Sequence, residues 1–136
     1  MEIKVSIIIP VYNAEETISK CLESAITQTV FPKEIICIDD GSTDRSLDIL
    51  STYAEKYKYI SVIAQENSGA GPARNRGLEI ARGKFVCFLD ADDCYVDCYA
   101  LDKMTEACQK NHVKICGGFL QIFDSQTGEI QIANLH

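Results

Sequence analysis

The chain has 136 residues, 46% of them hydrophobic and 24% charged, with a formal net charge of −7, which is the length and balance of one ordinary globular domain. The acidic excess argues against a nucleic-acid surface, which would show a basic stripe. Its apolar runs fall short of the roughly 20 residues a membrane span needs, and Met1 leads almost at once into a strand-like segment rather than a signal peptide, so a cytoplasmic location is expected.

Val5 to Val11, VSIIIPV, is a nearly continuous apolar run and reads as the first strand, closed by Pro10. Asn13 to Glu16 has the spacing of a capping box, and Ile18, Cys21, Leu22, Ala25 and Ile26 then recur at helical spacing. Glu34 to Asp40, EIICIDD, is a second strand ending in paired acids, followed by Gly41 and the hydroxyls Ser42 and Thr43, either of which could cap a helix carried by Leu47, Leu50, Ala54 and Tyr57. Ile60 to Ala64 is a third strand. The polar loop Gln65 to Gly71 leads to a helix with Pro72 in its first turn, apolar positions Ala73, Leu78, Ile80 and Ala81, and Gly83 as its C′ residue.

Lys84 to Asp93, KFVCFLDADD, follows at once. A short apolar run bounded by glycine reads as a strand buried on both faces, hence central in a parallel sheet. It ends in Asp90, Asp92 and Asp93. A fourth helix rests on Leu101, Met104 and Cys108, a fifth strand on Val113 to Phe123, and Phe119 to Phe123 with Glu129 to Ile132 read as a hairpin around the five-residue loop Asp124 to Gly128. Seven cysteines, four of them (Cys21, Cys37, Cys87, Cys108) on apolar faces or in apolar runs, look like reduced thiols rather than a disulfide frame.

Strands alternating with helices imply an α/β fold, a mostly parallel open sheet with helices on both faces and a C-terminal hairpin, in one domain over residues 1–136. Four strand ends then share one edge, at Pro10–Asn13, Asp39–Ser42, Gln65–Gly71 and Asp90–Asp93, and in such sheets that edge binds ligands. Clustered carboxylates there suggest a divalent cation shared with an anion, because a diphosphate beside Asp90 and Asp92 would otherwise be repelled. The plainer alternative is that these aspartates only cap the next helix. Neither G-x-G-x-x-G nor G-x-x-x-x-G-K-[ST] occurs, and Asp39-Asp40-Gly41 lacks the acid-any-acid order of a phosphatase nucleophile.

VSIIIPVYNAEETISKCLESAITQT, EIICIDDGSTDRS and NSGAGPARNRGLEIARGKFVCFLDADD, in this order and spacing from Lys4 to Asp93, resemble the nucleotide-binding half of family-2 glycosyltransferases of the GT-A fold. The resemblance implies an inverting transfer of a sugar from a nucleotide-diphospho-sugar, first of all a UDP-sugar, to a glycan or lipid-linked acceptor hydroxyl. It implies that Pro10 and Tyr12 border the base, that Glu15 lies near the ribose, and that Asp40 or its neighbour Asp39 accepts from the base N–H. Gly71 and Arg74 would pass close to the nucleotide, Asp90 would face the ribose, and Asp92 would bind Mn²⁺ or Mg²⁺ with Asp93 close by.

The resemblance covers the donor half and hardly reaches the acceptor half. None of Asp97, Asp102, Asp124 or Glu129 stands in a recognisable acceptor-side motif, so the general base is expected beyond His136, in a longer parent that could be membrane-associated. A part-domain should leave apolar surface that self-associates, so a homo-oligomer is expected. The competing reading is a nucleotide-binding or structural module without transferase activity.

Overall fold

A computed structural model describes residues 2–111, 119–123 and 130–134. Its frame is a four-stranded parallel sheet in the order β3-β2-β1-β4, formed by β1 (Val5–Val11), β2 (Lys33–Asp40), β3 (Ile60–Gln65) and β4 (Phe85–Phe88). Three helices alternate with these strands, α1 (Ile18–Ile26), α2 (Ser46–Lys56) and α3 (Ala70–Ile80), and α4 (Ala100–Asn111) follows β4. A separate antiparallel pair, β5 (Phe119–Phe123) and β6 (Ile130–Asn134), sets Phe123 opposite Ile130. The expected strand residues 113–118 and the hairpin loop lie outside the described residues.

The apolar runs become the two inner strands because both of their faces are covered. On one face Ile7, Ile9, Ile35 and Cys37 pack with Ile18, Cys21 and Leu22 of α1, Leu50 of α2 and Leu101 of α4. On the other, Ile8, Ile36 and Ile38 pack with Ala73 of α3. Ile7, Ile8 and Ile9 have no accessible surface, and each such side chain contributes about 1.5–3 kcal/mol by burial. The C-terminal carbonyls of α1 are met by Lys33, whose buried Nζ donates to Ile26 O at 2.5 Å and Gln28 O at 2.7 Å.

Several local expectations are corrected. Among the described residues the KFVCFLDADD strand stands at one side of this sheet rather than at its centre: β4 pairs there with β1 alone, over Phe85 to Phe88, and Val86 and Phe88 are exposed. A short apolar run cannot by itself report how many neighbours a strand has. Pro10 does not close β1 but lies inside it, opposite Ile38. Its missing N–H faces the β4 side, where the ladder has already ended with Leu89 N donating to Ile8 O, so no sheet bond is lost.

Leu78 and Ile80 point outward, and Ala73 with Gly77 makes the inner face of α3. The helix lies so close to β1 that a Cβ at Gly77 would sit 2.5 Å from Ile8 Cγ2; small residues, not large ones, fit this contact. Leu47 likewise faces outward, and Ser46 and Leu50 face in. Gly83 is not the C′ residue of α3, which is capped at Ala81. It is instead where the chain passes Ser6, donating to Ser6 Oγ at 2.8 Å, and a Cβ there would lie 2.5 Å from Ser6 N.

Candidate functional site at the β1–β4 switch point

From β1 the chain moves outward through β2 to β3, then crosses back under α3 to β4 on the other side of β1. The strand order therefore reverses between β1 and β4, and a crevice opens beyond their carboxyl ends, the place where open α/β sheets bind ligands. An open cleft of about 530 Å³ lies there, lined on the β1 side by Pro10, Tyr12 and Glu15, on the α2 side by Asp44, and on the β4 side by Ala91 and Asp92. Tyr12 is half exposed rather than part of the core.

The β1–α1 and β2–α2 loops are stitched to each other across this edge. Asn13 has a positive φ of 47°, and its Oδ1 accepts from Thr43 N at 2.8 Å while its own N–H donates to Ser42 Oγ at 3.0 Å. Ala14 N donates to Ser46 Oγ, Glu15 N to Asp44 Oδ2, and Arg45 N to Glu15 Oε2 at 3.0 Å. The expected capping box does not form: α1 starts later, after Thr17, and Asn13 serves the neighbouring loop. Ser42 and Thr43 do not cap α2 either: the helix begins at Ser46 with Arg45 in the cap position, and both bond to Asn13 instead. Asp44 and Ser46 also hold the rim, and their signal in the sequence is the run of small polar residues after Asp40, which composition alone assigns to capping.

Asp39 and Asp40 are both buried but do different things. Asp39 Oδ2 accepts from Ser42 N at 3.3 Å, and Oδ1 is buried without a hydrogen-bond partner among the described residues. Asp40 Oδ1 accepts from Gln65 Nε2 and Ser68 N, and Oδ2 from Gly69 N at 2.9 Å, so this carboxylate anchors the loop that starts α3. Burial raises its pKa, but the bonds from Gln65, Ser68 and Gly69 outweigh that and hold it below its ordinary value of 3.8. A depressed folded pKa gives stability that is complete above the unfolded value and lost as pH falls through the folded one. Asp40→Asn should therefore flatten the acid limb of a melting-temperature profile below about pH 4; an unchanged limb would show that Asp40 contributes nothing there.

The acidic turn follows β4. Asp90, Asp92 and Asp93 are exposed, and a carboxylate oxygen from each falls within 4.8 Å of the others; Asp93 N donates to Asp90 O at 3.0 Å and closes the turn. Burial first, and then the charges of Asp92 and Asp90, push the Asp93 carboxyl up. Three carboxylates grouped on one turn repel each other and offer oxygen ligands of the kind that could hold a hard divalent cation. Arg74 Nη2 pairs with Asp90 Oδ1 at 2.9 Å, which ties α3 to this turn. Gly71 lies in the first turn of α3, exposed and with open space where a Cβ would be.

The cleft thus brings together Pro10, Tyr12, Glu15 and Asp92, whereas Asp39, Asp40, Gly71, Arg74, Asp90 and Asp93 do not line it, the last two standing beside Asp92 on the acidic turn. Asp97 accepts from Tyr99 N and faces Lys103, and Asp102 accepts from Thr29 Oγ1; both are held in the segment that runs from the acidic turn into α4.

The backbone is similar to that of S. aureus TarS, residues 1–349, in its complex with UDP-GlcNAc: the TM-score is 0.73 at 36% identity over 81% of this chain and 32% of that one. Sheet, flanking helices and this likeness define a GT-A, Rossmann-like α/β fold of the transferase type. The chain belongs to glycosyl transferase family 2, whose family model matches residues 6–134. It is 54% identical over 90 residues to the uncharacterized glycosyltransferase YibD of Escherichia coli strain K12, and 45% identical over 123 residues to the poly(ribitol-phosphate) beta-glucosyltransferase of Bacillus spizizenii. It spans 26% and 19% of the length of those two relatives. Among the described residues no helix is long and apolar enough to cross a membrane.

Proposed function

We propose that this chain forms the donor side of a glycosyltransferase that moves a sugar, with inversion, from a nucleotide-diphospho-sugar to an acceptor hydroxyl on a glycan or a lipid-linked glycan. The observation that carries this reading is the switch-point cleft itself, with Tyr12 on one wall and the acidic turn on the other. In support, the family match covers nearly all of the chain, and the structural relative TarS is known in complex with UDP and with UDP-GlcNAc. A uridine nucleotide is the donor this favours.

Pro10 and Tyr12 border the base, and of the two candidates for accepting from its N–H, Asp40 or its neighbour Asp39, the geometry favours Asp39, whose Oδ1 has no partner among the described residues while both oxygens of Asp40 are taken by Gln65, Ser68 and Gly69. Glu15 stands near the ribose, and Asp90, held by Arg74 where Gly71 opens α3, faces the ribose from the β4 side. The donor set at the turn fits Mn²⁺ or Mg²⁺: Asp92 and Asp93 would hold the cation, which supplies Lewis-acid neutralisation of the leaving diphosphate. The chain's own residues orient the donor and keep the turn rigid.

The test is calorimetric titration with UDP-glucose, UDP-GlcNAc and GDP-mannose in the presence of Mn²⁺. Binding of at least one UDP-sugar, with GDP-mannose weaker, is the expected result. Failure of all three would reduce the chain to a structural module.

A further inference from the structure

One side of α1 and its exit forms a ladder of hydrogen bonds to the segment that carries the acidic turn into α4. Cys21 Sγ donates to Asp90 O at 3.4 Å. Ser24 Oγ, itself donating to Cys21 O at 2.7 Å, accepts from Tyr95 N at 3.1 Å. Gln28 Nε2 donates to Asp97 O at 2.6 Å and to Ser24 O at 3.1 Å, and its Oε1 accepts from Leu101 N at 3.1 Å. Thr29 N then donates to Cys98 O at 2.8 Å.

Two features separate this ladder from ordinary packing. The bonds from Cys21, Ser24, Gln28 and Thr29 N to the 90–101 segment all end on its backbone, so they fix the path of the chain irrespective of the side chains there, whereas Thr29 Oγ1 reaches the side chain of Asp102 just beyond it. Gln28, only 4% exposed, spends both amide hydrogens and its carbonyl oxygen on these bonds, so its loss would leave the backbone groups of Asp97 and Leu101 without these partners. The rungs begin at Asp90, the first acid of the turn. The turn is otherwise held by one internal bond, Asp93 N to Asp90 O, and by the Arg74–Asp90 pair; both end on Asp90, so the mutual repulsion of the Asp92 and Asp93 side chains has to be met by the path of the backbone that follows them.

We propose that Ser24 and Gln28 are positioning residues for the acidic turn: through the backbone at Tyr95, Asp97 and Leu101 they hold Asp90, Asp92 and Asp93 in register for a divalent cation and the diphosphate it bridges. The inference rests on the donor-site reading above. Ser24 and Gln28 touch neither ligand. They act on the entropy of the turn, in the way that groups bonded behind metal ligands commonly set metal affinity.

The experiment is titration of UDP into the wild-type chain, Ser24→Ala, Ser24→Thr and Gln28→Glu, each with and without Mn²⁺, well below the melting temperature of every variant. Ser24→Ala and Gln28→Glu should weaken Mn²⁺-dependent UDP binding about tenfold while leaving cation-free UDP binding unchanged, and Ser24→Thr, which keeps the hydroxyl, should restore it. Amide exchange at Tyr95 should quicken in Ser24→Ala. A merely stabilising role would lower the melting temperature without moving the cation-dependent affinity of the folded chain. Variants with wild-type affinity in both conditions would overturn the positioning role and leave the donor site standing. If the wild type bound UDP no better with Mn²⁺ than without, the donor-site reading would fall and this inference with it.

Discussion

Asp92→Asn is expected to abolish most of the cation-dependent affinity for UDP. Asp92 is the residue of the acidic turn that lines the cleft, and its oxygen lies within reach of those of Asp90 and Asp93. A unit charge and a divalent cation about 4 Å apart interact by about 2 kcal/mol even in a water-like setting, so the substitution should weaken binding at least about thirtyfold. The ligand-free protein should be no less stable, because the substitution relieves repulsion that raises the pKa of Asp93. The measurement is the rise in melting temperature produced by UDP with Mn²⁺, which linkage ties to affinity. A full rise in Asp92→Asn would remove Asp92 from the cation site.

Gly83→Ala is expected to destabilise the fold by about 1–3 kcal/mol, the usual cost of forcing extra volume into a filled position. The new methyl would meet Ser6 N at 2.5 Å, Ser6 Oγ at 2.6 Å and Phe85 O at 2.8 Å. Two of these are backbone atoms of paired strands and cannot swing aside. Relief would have to come from moving β4 away from β1, which would break the bonds from Lys84 N to Ile3 O and Phe85 N to Lys4 O. Because β4 ends in the acidic turn, the variant should also lose UDP affinity. Urea unfolding measures the first effect; a midpoint equal to wild type would show that the passage past Ser6 is not tight.

Much of the sheet was legible because the inner strands are nearly pure apolar runs. VSIIIPV and EIICIDD are buried almost throughout, and such runs have no other home in a chain of this length. The ends of the same strands were legible for the opposite reason: paired acids after an apolar run are unusual for a helix cap. What could not be read were relations between segments. β4 carries the same kind of run as β1 yet, among the described residues, pairs with one strand and not two, since strand order depends on crossovers that no local pattern records. The helix faces of α3 were misjudged because close approach selects Ala73 and Gly77, whereas a periodicity argument looks for large side chains.

At the site, the residue types were readable and the partners were not. Asn13 and Glu16 have the letters of a capping box, but the bonds of Asn13 run to Ser42 and Thr43, about thirty residues on. Asp39 and Asp40 look alike in sequence. Asp40 anchors the loop before α3 with both oxygens, and Asp39 keeps an oxygen without a partner among the described residues. The α1 ladder was invisible for the same reason, as Ser24 and Gln28 are unremarkable polar letters until the 90–101 segment folds against them.

The central claim is that the switch-point cleft binds a nucleoside diphosphate through a cation held by the acidic turn. The most direct measurement is calorimetric titration of the unmodified chain with UDP, with Mn²⁺ and then with chelator. Saturable binding with Mn²⁺ that weakens sharply in chelator is the predicted result; a folded chain that binds no UDP in either condition, or binds it equally in both, would contradict the claim.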